Sequence, residues 1–298
     1  MVTKMIYLAG GTSFLGKRVV EKLLGSGKDI KCLFRSEAAK HKLLLLREKN
    51  KEKLDMAGGN LYSADSLIYG LKGIDMAIYM VRLEYVDFVK NFLDAAGKCG
   101  LKRAVFISST TALLPTENKF KKLKLEAEDL IKRSGLIYTI LRPTMIYGGC
   151  GDNNFYKMLN FIKNKGFFVI FGSGKNLIQP VHVDDVAGAI LSVLDNPASF
   201  NKTYEICGEG ALKYDEMLKI VRKKLKRNFR IIKLPIGASK FAVNIYKKIV
   251  KKSDFNSDQI ERMKIDKAYS YSEAQKDFGF NPIAFEDGIE KEIREAGF

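Results

Sequence analysis

The chain has 298 residues, 46% of them hydrophobic, and carries 51 Lys and Arg against 34 Asp and Glu, a formal net charge of +17. That length holds one large α/β domain and a smaller one, and no apolar run reaches the 18 residues a membrane-spanning helix needs. Cys32, Cys99, Cys150 and Cys207 are scattered, and with His41 and His182 they form no metal spacing, so free thiols, a cytoplasmic setting and no metal are expected.

Lys4–Ala9 is apolar and strand-like, Gly10–Gly16 is a glycine-rich turn, and Lys17–Leu24 has helical periodicity. With a strand at this point, no cleavable leader is expected. Ile30–Phe34 predicts a second strand and His41–Leu54 a helix. Ile74–Val81, Arg103–Ser108 and Leu136–Leu141 predict further strands. Between them Tyr85–Cys99 and Lys119–Arg133 predict helices, the second stopped by Ser134-Gly135. This βα alternation specifies an α/β protein, a Rossmann-type doubly wound parallel sheet. After Gly148-Gly149 the pattern loosens. Val181–Val183 and Thr203–Ile206 predict short strands returning to the sheet, while Tyr214–Leu225 and Phe285–Ala296 predict helices of a small C-terminal α/β substrate domain. The expected division is residues 1–149 plus about 176–207 for the cofactor domain, and about 150–175 plus 208–298 for the smaller one.

The turn Gly10-Gly11-Thr12-Ser13-Phe14-Leu15-Gly16 aims a helix N-terminus and a row of backbone N–H groups at one point, an arrangement suited to a dinucleotide pyrophosphate. Gly10 permits the turn and Gly16 the close packing of helix on strand. Ser13 stands where a middle glycine is common; its Cβ crowds a phosphate, but its hydroxyl can donate to one. Contacts are expected along Gly10, Thr12, Ser13, Phe14, Leu15 and Gly16. The end of strand 2 reads Arg35-Ser36, with no acid to accept from a ribose 2′-hydroxyl; Asp29 lies at the strand's other end. Arg35 can fork onto a 2′-phosphate and stack on adenine, and Ser36 can donate. NADP(H) is therefore expected over NAD(H), which stays open.

Met217–Ser253 holds 13 Lys and Arg and no acid. It reads either as a surface touching an anionic membrane or as lysine-rich composition, since Lys outnumbers Arg 39 to 12. Its three aromatics, Phe229, Phe241 and Tyr246, are too sparse to favour nucleic acid. A homodimer is left open.

Further segments carry a resemblance. Gly59-Asn60-Leu61 looks like the Gly-Asp-Leu that contacts adenine, with Asn60 in place of the acid. Ser108-Ser109-Thr110, Leu141-Arg142-Pro143-Thr144-Met145-Ile146-Tyr147-Gly148 and Gln179–Ala187 look like the end of strand 5, the nicotinamide-side segment and the return to the sheet. Together with the glycine turn, over essentially the whole length, the chain resembles the extended short-chain dehydrogenase/reductase superfamily, in the NAD-dependent epimerase/dehydratase group. The resemblance implies that Asn60, Leu61 and Pro143 line the cofactor. It also implies a Tyr-x-x-x-Lys pair with a Ser or Thr. In the matching register Thr110 and Lys124 take the Ser/Thr and Lys positions, and Phe120 stands where the Tyr belongs. A phenylalanine has no proton to move, and general acid–base catalysis is worth about 10²–10⁴-fold.

Three readings of Lys124 stay open: a proton donor, as in isoflavone-reductase-like relatives; a ribose anchor; or a solvated lysine among Lys119, Lys121, Lys122 and Lys132. Tyr147 is open as a substitute for the missing phenol, although the resemblance implies that this position shapes the pocket. Ile178 stands where nucleotide-sugar enzymes of the group place a diphosphate-binding Arg, with Lys175 a loose substitute. His182 reads as structural, and Asp184-Asp185 as caps of the next helix. The expected function is an atypical NAD(P)-dependent oxidoreductase moving hydride to or from a small carbonyl, alcohol or enone. The alternatives are a nucleotide-sugar epimerase or dehydratase, and a non-enzymatic NADP(H)-binding redox sensor or membrane-complex assembly protein.

Overall fold

A computed structural model describes residues 5–48, 53–152, 154–235 and 264–298. The chain divides into two compact units. Unit 1 is Met1–Thr144, Val183–Ile206 and Tyr271–Asn281; unit 2 is Met145–His182, Cys207–Ser270 and Pro282–Phe298.

Unit 1 is built on β1 (Ile6–Ala9), β2 (Ile30–Phe34), β3 (Leu54–Gly58), β4 (Met76–Tyr79), β5 (Arg103–Ile107), β6 (Ile137–Pro143) and, far along the chain, β11 (Lys202–Ile206). They pair in the order β11-β6-β5-β4-β1-β2-β3, every ladder parallel. Every residue of β1, β4 and β5 is buried, as expected of strands covered on both faces. That cover comes from α1 (Phe14–Gly25), α2 (Glu37–Arg47), α3 (Asp65–Leu71), α4 (Val86–Lys98), α5 (Lys119–Lys132) and α7 (Val183–Val193). In α4 the buried Val86, Val89, Phe92, Ala95 and Ala96 recur at helical spacing, and Phe92 meets Tyr79 and Phe106 at ring distances of 5.0 and 5.9 Å.

Among its described residues unit 2 contains three two-stranded ladders. β7 (Ile146–Tyr147) pairs with β10 (Val181–His182), β8 (Phe167–Phe171) with β13 (Arg230–Leu234), and β9 (Leu177–Ile178) with β12 (Leu212–Lys213). Helices α6 (Phe155–Lys165), α8 (Tyr214–Lys224) and α10 (Phe285–Ala296) share a core with Tyr147. A last short helix of unit 1, α9 (Ser272–Phe278), lies before α10 in the chain.

Two expectations are corrected. The second helix starts earlier than His41, at Glu37, because Ser36 caps it by accepting from the Ala39 N–H at 3.3 Å; Leu54 opens β3. Val181 and His182 pair with β7 rather than with the central sheet. Asp184 and Asp185 lie in the first turn of α7, and Asp184 pairs with Arg18 at 3.1 Å.

Candidate functional site

Unit 1 carries the glycine turn where β1 lies between β4 and β2. Gly10 has φ +96°, and a Cβ there would sit 3.2 Å from the Met80 carbonyl carbon. A Cβ on Gly16 would fall 2.0 Å from the Gly10 carbonyl oxygen, so the helix can approach the strand only without a side chain. Ser13 caps α1, its Oγ accepting from the Gly16 N–H at 3.0 Å. Thr12 and Phe14 are half-buried, while the Leu15 side chain belongs to the core, so a ligand reaches Leu15 through its backbone.

Beside this turn lies a cleft lined by Gly10, Thr12, Arg35, Ser36, Asn60, Leu61, Tyr62 and Phe88, among others. It measures about 230 Å³, against roughly 30 Å³ for the share of one water in the liquid, and so has room for an organic group and not merely an ion. Asn60 holds the loop after β3: its Oδ1 accepts from the Tyr62 N–H at 2.9 Å, and its own N–H donates to Ser66 Oγ at 3.1 Å. Tyr62 meets Phe88 edge-on at 4.7 Å, forming an aromatic wall. Among the described residues no carboxylate pairs with Arg35, which leaves its guanidinium available to an anion. Lys40 pairs with Glu37 at 3.6 Å.

The other expected residues lie further along the same sheet edge. Thr110, buried, opens a 3-10 turn (Thr110–Leu113) that packs against α5. Phe120 is 37% exposed in the first turn of α5. Pro143 ends β6 and is buried. Lys124 is only 8% exposed, unlike a solvated lysine. Its ammonium donates to Glu84, whose other oxygen accepts from Arg82 Nε at 2.7 Å. Burial pushes the Glu84 carboxyl up, but the hydrogen bond and charge of Lys124 and the hydrogen bond of Arg82 outweigh it and hold Glu84 below the usual carboxylate range.

Sequence reasoning missed Glu84. It also missed the role of Glu128, fully buried, which accepts from Ser108 Oγ at 2.6 Å and from Arg142 Nε at 3.0 Å; Arg142 reaches on to Glu205 at 3.3 Å. Ser108 and Arg142 thus serve a buried charge network joining α5 to the strand ends. A carboxylate four residues after Lys124, with an Arg in β6, was the available signal.

In unit 2, Tyr147 is a core residue: its ring lies 5.1 Å from Phe155 and 5.3 Å from both Phe285 and His182. Ile178 is buried in β9. Glu292, wholly buried on α10, has its carboxyl pushed up to about 8 by burial and by the charges of Asp152 and Glu295, and neither carboxyl oxygen has a hydrogen-bond partner. The basic stretch is opposed by acids from elsewhere in the unit. Lys223 pairs with Glu286 at 3.0 Å, Lys224 with Glu290 at 2.5 Å and Lys233 with Asp215 at 3.1 Å. Residues 236–253 lie outside the described residues. Among the described residues no helix is long and apolar enough to cross a membrane, no group of His, Cys, Asp or Glu could hold a metal ion, and the four cysteines are free.

A profile of the NmrA-like family matches residues 2–281. The chain is 29% identical over 283 residues to NADH dehydrogenase (ubiquinone) 1 alpha subcomplex subunit 9 of Arabidopsis thaliana, covering 86% of this chain and 69% of that protein. It is 27% identical to divinyl chlorophyllide a 8-vinyl-reductase of Cucumis sativus (89% and 67% covered) and 24% identical to photosystem II assembly factor Ycf39 of Synechocystis (79% and 72%). Among solved structures, UDP-glucose 4-epimerase of Thermotoga maritima superimposes with a TM-score of 0.75 at 16% identity, covering 98% of each chain. A dTDP-glucose 4,6-dehydratase of Streptomyces venezuelae, with NAD bound, also gives 0.75, at 18% identity over 98% and 96%. With the glycine turn, the parallel sheet and the cleft beside them, these likenesses make the chain a member of the NmrA-like family, NAD(P)-binding proteins on the Rossmann fold of the epimerases and dehydratases.

Proposed function

We propose that this chain binds NADP(H) along the carboxyl edge of unit 1 and acts as an atypical oxidoreductase on a small carbonyl, alcohol or enone. The observation that carries the reading is Lys124, an ammonium kept almost wholly out of water on the sheet edge that also holds the glycine turn. Taking such a group out of water costs several kcal/mol, about what a fold avoids unless the charge is used. Gly10–Gly16 would hold the pyrophosphate, Arg35 and Ser36 the 2′-phosphate, and Asn60 and Leu61 the adenine side. Pro143 would flank the nicotinamide, which supplies or accepts the hydride when bound. Thr110 would donate to the substrate oxygen; Lys124 would hold the ribose and, with Phe120 in place of a phenol, pass a proton to the substrate by way of a ribose hydroxyl.

The vinyl-reductase relatives support an enone or alkene substrate. The buried Ile178 argues against a nucleotide sugar. The free thiols support a reducing, cytoplasmic setting. A second reading, cofactor holding without turnover, is favoured by Phe120 itself and by relatives named as a respiratory-complex subunit and a photosystem assembly factor. NADPH oxidation with a panel of quinones, aldehydes and enones separates the two. Turnover that rises in Phe120→Tyr supports the oxidoreductase; no turnover in either protein, with NADPH bound, supports the holder.

A further inference from the structure

The connection from β4 to α4 carries three features that the cofactor reading does not absorb. Leu83 is fully buried and Val86 nearly so, which pins the loop to the core on both sides of Glu84. The Glu84 side chain, 7% exposed, turns to α5 and accepts from Lys124 across 40 residues of sequence. Arg82, 62% exposed, holds the second oxygen, and its guanidinium lies 5.5 Å over the Tyr85 ring. A buried ion pair is weak evidence for stability, since apolar side chains of the same volume would serve the fold as well.

Position supplies the missing reason. The strand order places β4 next to β1, with Ala9 in register with Tyr79, and the space beyond Gly10 abuts Met80. The loop bearing Glu84 is thus the immediate neighbour of the glycine turn. On the cofactor reading above, the cleft over β2 and β3 would take one end of a dinucleotide and the turn after β1 its middle. With strands about 4.8 Å apart, the second nucleoside would then lie on the β4 side of the turn, toward the loop that bears Glu84.

We infer that Glu84 is a positioning residue for that second nucleoside. An ammonium has three N–H donors. Glu84 takes one and so fixes the directions of the other two, which then meet the vicinal hydroxyls of a ribose as a pair. With Phe120 offering no hydroxyl, Glu84 is the side chain that orients Lys124. The inference rests on the cofactor reading above and adds a residue to it.

Calorimetric titration tests it with two probes: NADPH, which has both nucleosides, and 2′,5′-ADP, which has only the adenosine half. The proteins are unmodified, Glu84→Gln, Lys124→Met and the double variant. Glu84→Gln is expected to weaken NADPH about tenfold, to have no further effect once Lys124 is Met, and to leave 2′,5′-ADP within about twofold in all four. If Glu84→Gln leaves NADPH unchanged, or weakens it equally with and without Lys124, the inference is overturned. Should Glu84→Gln lose 2′,5′-ADP as well, Glu84→Asp, which keeps the charge and shortens the reach, decides. A loss confined to NADPH supports the inference, and a parallel loss of both probes overturns it. Failure of the unmodified protein to bind either probe overturns the cofactor reading and this inference with it.

Discussion

Unit 1 and unit 2 hold their buried glutamates in opposite ways. In unit 1 each is clasped by cations: Glu128 by Arg142, and Glu84 by Lys124 and Arg82. In unit 2 Glu292 is wholly buried near a second acid, Asp152, and close to Glu295, and neither of its carboxyl oxygens has a hydrogen-bond partner. Paired charges along a sheet edge fix geometry, which a binding site requires. A buried acid held near like charge costs stability and fixes little. The contrast sets a fixed charge geometry in unit 1 against an energetic liability in unit 2.

The largest effect should come from the glycine turn. In Gly16→Ala the added Cβ meets the Gly10 carbonyl oxygen at 2.0 Å, so the turn must open. NADPH affinity measured by fluorescence titration should fall by about a hundredfold or more, and a loss under threefold would separate the turn from binding. Arg142→Leu should be next. It leaves Glu128 buried without its cation and should cost about 3–5 kcal/mol in urea unfolding; a cost under about 1 kcal/mol would show that the network matters little to unit 1.

Glu292→Gln should go the other way. Burial and the neighbouring acids push the folded carboxyl up to about 8, against 4.5 for the ordinary group, so the unfolded chain releases its proton first. The wild type is then most stable below about pH 4.5 and loses stability as pH rises toward 8, while Gln at this position does not titrate. The variant should gain on the order of 3 kcal/mol by pH 7 and nothing at pH 4. A gain independent of pH would mean that packing, not ionisation, is responsible. The basic stretch should give the smallest effect, because Lys223, Lys224 and Lys233 are already paired. Co-sedimentation with anionic vesicles at low salt should exceed that with neutral vesicles by only severalfold, and equal pelleting would remove the membrane contact.

What the sequence made legible follows the range of the forces involved. Strand 2 begins and ends at Ile30 and Phe34 as its apolar run predicts, and α10 matches Phe285–Ala296, since periodicity and caps are local. The start of α2 was misread because Ser36 suits both a phosphate contact and a helix cap. The pairing of β8 with β13 joins segments some sixty residues apart, and no local signal announces it. The site divides the same way. Gly10, Gly16 and Arg35 are visible as a short motif and a strand end. The burial of Lys124 is hidden among neighbouring lysines, and Glu84 reaches it only through the fold.

The central claim is that unit 1 holds NADP(H), with Arg35 reading the 2′-phosphate. Calorimetric titration of NADPH and NADH against the unmodified protein and Arg35→Ala tests it most directly. Two charge-assisted bonds, each worth about 1.5–3 kcal/mol, predict at least a tenfold preference for NADPH, lost in Arg35→Ala while NADH binding stays nearly the same. Equal or tighter binding of NADH by the unmodified protein would contradict the account.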